Sequence, residues 1–163
     1  MLKRFNDYLE KGLLTVGIGL FSVFIVVVFL QVISRNYLKI SMMWIQEVAL
    51  FCFLWSVFIG GSIAVRRRKH YLVEIFPERM VRLNITLDIL ADLGAYAMVY
   101  VFLPIGYQYM MLGMNRYSRV LQFPQAYFFA AFPAAGLFIF FFATEVLIQD
   151  VRRLRALRLP GSR

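Results

Sequence analysis

Four long apolar runs, at about 13–34, 44–65, 87–113 and 124–148, alternate with short polar and basic segments along the chain. Each reaches the roughly 20 residues that a helix needs to cross about 30 Å of hydrocarbon. The pattern predicts an all-α integral membrane protein of four transmembrane helices. The runs use most of the sequence, so 1–163 is expected to be a single four-helix transmembrane domain. The first run carries no charge, and its β-branched stretch Ile25, Val26, Val27 and Val28 suits lipid contact. Arg35, Asn36 and Tyr37 close it with a polar and aromatic rim, and Trp44 opens the second run at the same interface.

Within the runs, small residues recur at helical spacing. Ser56, Gly60 and Ala64 form one stripe and Ala126, Ala130 and Ala134 another. Such stripes let helix backbones approach closely, so both are expected to mark tight contacts. Pro104 and Gly106 predict a bend inside the third helix. Pro124 is expected at the first helical position of the fourth, with a kink at Pro133. Between the second and third runs, Leu72, Phe76, Met80 and Leu83 share one side of a helical wheel while Glu74, Glu78 and Arg82 share the other. That segment reads as an amphipathic arm in the membrane interface.

Composition agrees with the pattern. Hydrophobic residues make up 61% of the chain, and mean hydropathy is +0.70; a soluble domain of this length could not hide that much apolar surface. The net charge of +9 changes the picture only through its distribution. Fourteen of the eighteen Lys and Arg residues flank the termini or lie between the second and third runs, among them Arg66, Arg67, Arg68, Lys69, Arg152 and Arg153. Only Arg35, Lys39, Arg116 and Arg119 lie in the other two loops. The positive-inside rule then places both termini and the middle loop in the cytoplasm. Basic residues beside anionic phospholipid headgroups need no nucleic acid to explain them. The first run is too long for an ordinary signal peptide and has no cleavage site, so it reads as a signal anchor. The lone Cys52 excludes an internal disulfide.

Several functions are excluded by what the chain lacks. Bis-histidine haem ligation needs two intramembrane histidines, and His70 is the single one, in a basic loop. Thiol oxidation needs paired cysteines. No cofactor, metal or catalytic group is expected, and the chain does not read as an enzyme. Ion and proton pathways mark themselves with ionisable residues deep in the membrane. Here Glu47, Asp88, Asp92 and Glu145 all lie near span boundaries. Each has a structural reading: Glu47 near a helix N-terminus with Arg35 as partner, Asp88 and Asp92 against the run from Arg66 to Lys69, and Glu145 with Arg152, Arg153 or lipid headgroups. The midplane is left without formal charge, and the chain reads as a scaffold.

The second run also carries a recognisable order of residues. Trp44-Ile45-Gln46-Glu47, Trp55, Gly60-Gly61, the basic run Arg66, Arg67, Arg68 and Lys69, and His70-Tyr71-Leu72-Val73-Glu74 resemble the signature of the small membrane subunit of TRAP transporters, the DctQ-like family. Leu121-Gln122-Phe123-Pro124 and Pro133 agree in outline, and the likeness covers almost the whole chain. Glu74 departs from the family's more usual Asp. The resemblance implies a non-catalytic subunit of a tripartite, sodium-coupled importer of organic acids in the bacterial inner membrane. Its partners would be a large multi-span elevator-type subunit, whose static part it braces, and a periplasmic substrate-binding protein. Trp44, Glu47, Trp55, Gly61 and Arg35 join the two small-residue stripes as the residues expected at structural or subunit contacts. The competing reading is a small membrane anchor of another complex, such as a respiratory one. A self-sufficient small exporter would instead be expected to carry a carboxylate in the middle of its first span.

Overall fold

The structure, a computed structural model, describes residues 2–39, 42–67 and 81–158, with side chains for 3–39, 42–67 and 90–152. Six helices follow in order: α1 (Leu2–Ile33), α2 (Met43–Arg67), α3 (Val81–Phe102), α4 (Pro104–Met114), α5 (Ala126–Phe129) and α6 (Ala131–Arg158). Among the described residues there is no strand, only an isolated bridge between Tyr117 and Pro124. Helices α3 and α4 make one span and α5 and α6 another, giving four helices long and apolar enough to cross a membrane. The amphipathic arm expected from Leu72 onward lies, up to Met80, outside the described residues.

Helix α1 begins well ahead of its apolar run because its first turns carry Asn6, Asp7 and Glu10, which are held by partners on α2 and α6. At its other end the coil widens into a π-turn over Ser34–Leu38. Lys39 closes that turn in the left-handed region (φ 53°), donating its N–H to the Ser34 carbonyl.

The third span breaks at Leu103. Pro104 has no N–H to offer the Tyr100 carbonyl, so the ladder lapses there. It resumes at once, with Leu103 N–H on the Val99 carbonyl and Tyr107 N–H on the Leu103 carbonyl, both 3.0 Å. The fourth span breaks at Ala130, three residues before Pro133, which equally has no N–H for the Phe129 carbonyl. Pro124 is not the first helical residue. It is spent in the bridge to Tyr117, and the helix starts two residues later at Ala126, with the Tyr127 N–H on the Pro124 carbonyl at 3.3 Å.

Across the bundle the order is α1, α2, α6, then α3/α4. Leu13, Ile59, Ile63 and Phe142 form the core where α1, α2 and α6 meet, with Trp55 and Phe138 against it. Toward the third span, Phe58, Phe102 and Phe132 form an aromatic triad with centroids 4.7 to 6.1 Å apart. The close approaches of backbone occur elsewhere than expected. A methyl at Gly106 would stand 2.8 Å from Phe132 Cβ, and one at Gly136 would stand 3.1 Å from Leu103 Cγ. The two broken spans are thus keyed into each other beside their breaks. At Gly60 and Gly61 an added Cβ would meet no described atom within 4 Å. Gly60 and Ser56 instead floor an open apolar groove of about 330 Å³ beside α1. On the fourth span the fully buried small residues are Ala131, Ala135 and Ala143, whereas Ala130 and Ala134 are half-buried. Only Ala126 of the expected stripe is buried, against Gly113.

Candidate functional site

Two polar clusters lie at opposite ends of α2, one on Glu47 and one on Arg66. The nineteen residue steps from Glu47 to Arg66 correspond to roughly 28 Å along the helix, close to the thickness of a bilayer's hydrocarbon.

Glu47 sits in the first turns of α2 and reaches the loop between α4 and α5. That loop is a tight hairpin: Ser118 N–H meets the Phe123 carbonyl at 2.9 Å and Gln125 N–H meets the Arg116 carbonyl at 2.8 Å. Gln122 takes the left-handed conformation (φ 55°) that turns the tip. The chain reversal aims two consecutive N–H groups at one point, and the Glu47 carboxylate fills it. It accepts from Val120 N–H at 3.1 Å, from Leu121 N–H at 3.0 Å and from the Ser118 hydroxyl. Successive backbone N–H groups of this kind form an anion-binding concavity. The expected partner Arg35 is not used; it is exposed, and a loop from the other end of the sequence takes its place. Just over two turns further along α2, the Trp55 indole N–H donates to the Tyr127 carbonyl at 3.1 Å. Phe51 meets Phe128 edge to face at 5.7 Å, and Phe123 stacks on Phe128 at 5.3 Å. Glu47, Trp55 and these rings together fasten the α4–α5 hairpin to α2. Beside them a cleft of about 310 Å³ opens among Glu47, Ser118, Arg119, Gln125 and Phe129. Trp44, 43% exposed, stands outside this network.

Replacing Glu47 with glutamine removes the charge and one acceptor. The Val120 and Leu121 amides are then expected to exchange with deuterium roughly tenfold faster, because hydrogen bonds to a charged acceptor are the stronger kind and local opening sets exchange. Hydrogen exchange read by mass spectrometry on the 116–125 peptide checks this, and unchanged protection there would remove Glu47 from the role.

At the other end, Arg66 is the hub. Its guanidinium donates to Asp7 at 2.5 Å, to Glu10, to Glu145 at 3.2 Å and to the Asn6 carbonyl at 3.0 Å, and it lies 5.6 Å over the Phe142 ring. Its side chain is only 10% exposed. A planar fork of five N–H groups is what such a multiple role requires, and a lysine could not fill it. Arg67 adds a 2.6 Å bond to Glu10. Asn6, wholly buried, donates to Glu145 at 2.8 Å and to the Phe141 carbonyl at 3.2 Å. Two acceptors fix which end of that amide is the nitrogen; Asn6 Oδ1 is left buried without a donor among the described residues. Gln149 reaches Glu145 from one turn away at 3.4 Å.

Glu145 binds Arg66 and Asn6, and among the described residues it makes no ion pair with Arg152; the Arg153 side chain lies outside the described residues. Arg66 is an interior cation rather than a headgroup contact. Arg66 and Arg67 are turned toward α1 and α6 rather than spent on Asp92, which is itself buried. Arg68 and Lys69 lie outside the described residues, as does the Asp88 side chain. Exposed Arg67 and Arg152 keep the geometry for headgroups.

Both clusters hold carboxylates by N–H and guanidinium donors, and neither is an open site for a reacting molecule. Among the described residues no group of three His, Cys, Asp or Glu could hold a metal ion. A family model for the DctQ component of tripartite ATP-independent periplasmic transporters matches residues 24–153. The chain belongs to the DctQ family. It is similar to the sialic acid TRAP transporter small permease protein SiaQ of Vibrio cholerae, 20% identical over 157 residues, covering 94% of this chain and 88% of the relative. The C4-dicarboxylate TRAP transporter small permease protein DctQ of the same organism is 30% identical over 84 residues, 49% of this chain and 35% of the relative. A Haemophilus influenzae chain that carries a TRAP small permease name is 19% identical over 140 residues, 85% of this chain and 87% of the relative. As a DctQ component the chain is a transport subunit and not an enzyme, one part of a tripartite system with a large membrane subunit and a binding protein.

In this DctQ chain, sequence reasoning singled out Glu47 and Trp55 but missed Asn6, Asp7, Glu10 and Ser118. One signal was available. Asp7 and Glu10 stand a turn apart in a segment otherwise basic, Glu145 lies in the last turn of its apolar run, and Arg66 directly follows the end of its own. Acids and a cation at matching depth on different helices are candidates for one another.

Proposed function

We propose that this DctQ subunit is the fixed brace of a sodium-coupled importer of organic acids, holding the static part of a large elevator-type membrane subunit while a periplasmic binding protein delivers substrate. The observation that carries this reading is where charge stops. Between Lys11 and Arg35, Glu47 and Arg66, Asp92 and Arg116, and Arg119 and Glu145, no acidic, basic or histidine residue occurs. A span that carries an ion or a carboxylate needs groups to hold it at depth. The acids nearest to that zone are already committed, Glu47 to a loop and Glu145 to Arg66. Both clusters cross-link separate helices, which suits a part that must keep its shape. Relatives named for C4-dicarboxylates and sialic acid, which are both carboxylates, support the substrate class. The basic residues at the terminus-bearing end favour an orientation with both termini in the cytoplasm, in the inner membrane, with the Glu47 loop in the periplasm.

Proteoliposomes test this. Carrying this chain alone, they should show no sodium-driven uptake of any organic acid; adding the large subunit and the loaded binding protein should restore it. Substrate-specific, sodium-driven flux through the chain by itself would overturn the reading.

A further inference from the structure

The order of the bundle leaves two outer spans, α1 and α3/α4, each with one covered face and one bare face. The two bare faces differ in chemistry. On α1, Ile18, Ile25 and Val32 recur every seventh residue, each half-exposed or more. Hydrocarbon suits these side chains, and exposed Ser22 adds only one small hydroxyl among them. On the third span, Asp92, Val99, Gly106 and Gly113 recur every seventh residue on the buried side. Turned away from them, at the same interval, come Gly94, Val101 and Gln108, all exposed.

Gln108 decides between lipid and protein as the neighbour. It lies eight residues before Arg116, roughly 12 Å along the helix and so at hydrocarbon depth. Among the described residues nothing hydrogen-bonds its side-chain amide. An amide brings two donors and a carbonyl acceptor, and acyl chains answer none of them. The hydroxyls of Thr15 and Ser56 turn back on their own helices, Thr15 to the Lys11 carbonyl and Ser56 to the Phe53 carbonyl. A glutamine side chain is too long to do the same comfortably. Tyr100 and Tyr107 carry two more hydroxyls along the flank of this face, 79% and 51% exposed. Space for close approach exists as well, since a methyl at Gly94 would meet no described atom within 4 Å. Small residues beside an interhelical hydrogen-bonding group are how membrane helices associate.

We infer that the Gly94–Val101–Gln108 face takes a transmembrane helix of the large membrane subunit, which offers Gln108 a polar side chain or a free carbonyl, and that the bare face of α1 meets lipid. The inference rests on the bracing role proposed above.

The test uses the whole complex in native membranes, with a photo-crosslinking amino acid at Val101, at Gln108 or at Ile25. Adducts with the large subunit are expected from 101 and 108, and none from 25. Adducts from 25 alone, or adducts from 108 only to a second copy of this chain, would overturn the assignment. In parallel, Gln108→Leu should lower the large subunit retained after detergent extraction by about threefold or more, while the melting of the isolated chain stays unchanged. Retention equal to wild type would overturn it too. A wild-type chain that retains no large subunit at all brings down the bracing proposal along with this one, whereas retention with adducts from 25 alone brings down only the face.

Discussion

Arg66→Ala is expected to destabilise the subunit by about 3 kcal/mol or more, the usual penalty for removing one partner of a buried ion pair. Three carboxylates from two helices converge on this guanidinium, and Glu10 and Glu145 are only 15% and 7% exposed. Without it they repel one another where water cannot screen them, and Arg67 compensates Glu10 alone. The Asn6 carbonyl loses its donor at the same time. Arg66→Lys should recover part of the loss, since it restores charge without the fork. Asp7→Asn should do little, because Asp7 is 47% exposed and surface pairs are worth about 0–1 kcal/mol. Adding Glu145→Gln to Arg66→Ala should give back some stability by removing a stranded charge. Thermal unfolding in detergent measures the series. An alanine variant that melts with the wild type would show that the cluster contributes nothing net, as a buried ion pair can.

The four spans were legible because a hydrocarbon slab imposes one requirement on every helix, twenty apolar residues, and that requirement is written locally. The partners of the edge acids were not. Glu47 is 73 residues from Val120, and Glu145 is 139 from Asn6; which of several nearby cations or amides an acid meets depends on the order and rotation of helices, which hydropathy does not encode. The same cause misplaced the small-residue contacts. Ser56, Gly60 and Ala64 have the right spacing, yet their helix turns Ile59 and Ile63 inward and leaves Gly60 beside a groove. Ala126, Ala130 and Ala134 lie close to the buried row of Ala131 and Ala135, but the break at Ala130 resets the phase of the helix. Pro104 and Pro133 interrupt their helices as their chemistry requires, with only the residue of each break beyond reach, whereas Pro124 does not open its helix because it is held in the bridge to Tyr117. The start of α1 escaped because Asn6, Asp7 and Glu10 look like solvent-facing residues until their partners are known.

Gly113→Ala is the second substitution expected to do large damage, although it adds a single methyl. That carbon would stand 2.7 Å from the Ala126 nitrogen, 2.7 Å from Phe129 Cδ2 and 2.9 Å from Ala126 Cα. A flexible ring can swing aside, but the backbone of Ala126 cannot move without carrying α5 away from α4. Overpacking ordinarily costs about 1–3 kcal/mol, and contact with backbone places this case toward the upper end. The disturbance has a route to the Glu47 cluster, because α5 follows directly on Pro124 and the hairpin that Glu47 holds. Faster deuterium exchange at 118–121 should therefore accompany the fall in melting temperature. Gly106→Ala should behave similarly through Phe132 Cβ at 2.8 Å and the Pro133 nitrogen at 3.0 Å. Gly60→Ala, which meets no described atom, is the matched control and should leave the isolated subunit unchanged. If Gly113→Ala and Gly60→Ala melt alike, the close approach of α4 to α5 is not a constraint on this fold, and the rigidity assigned to the hairpin must come from Glu47 and Trp55 alone.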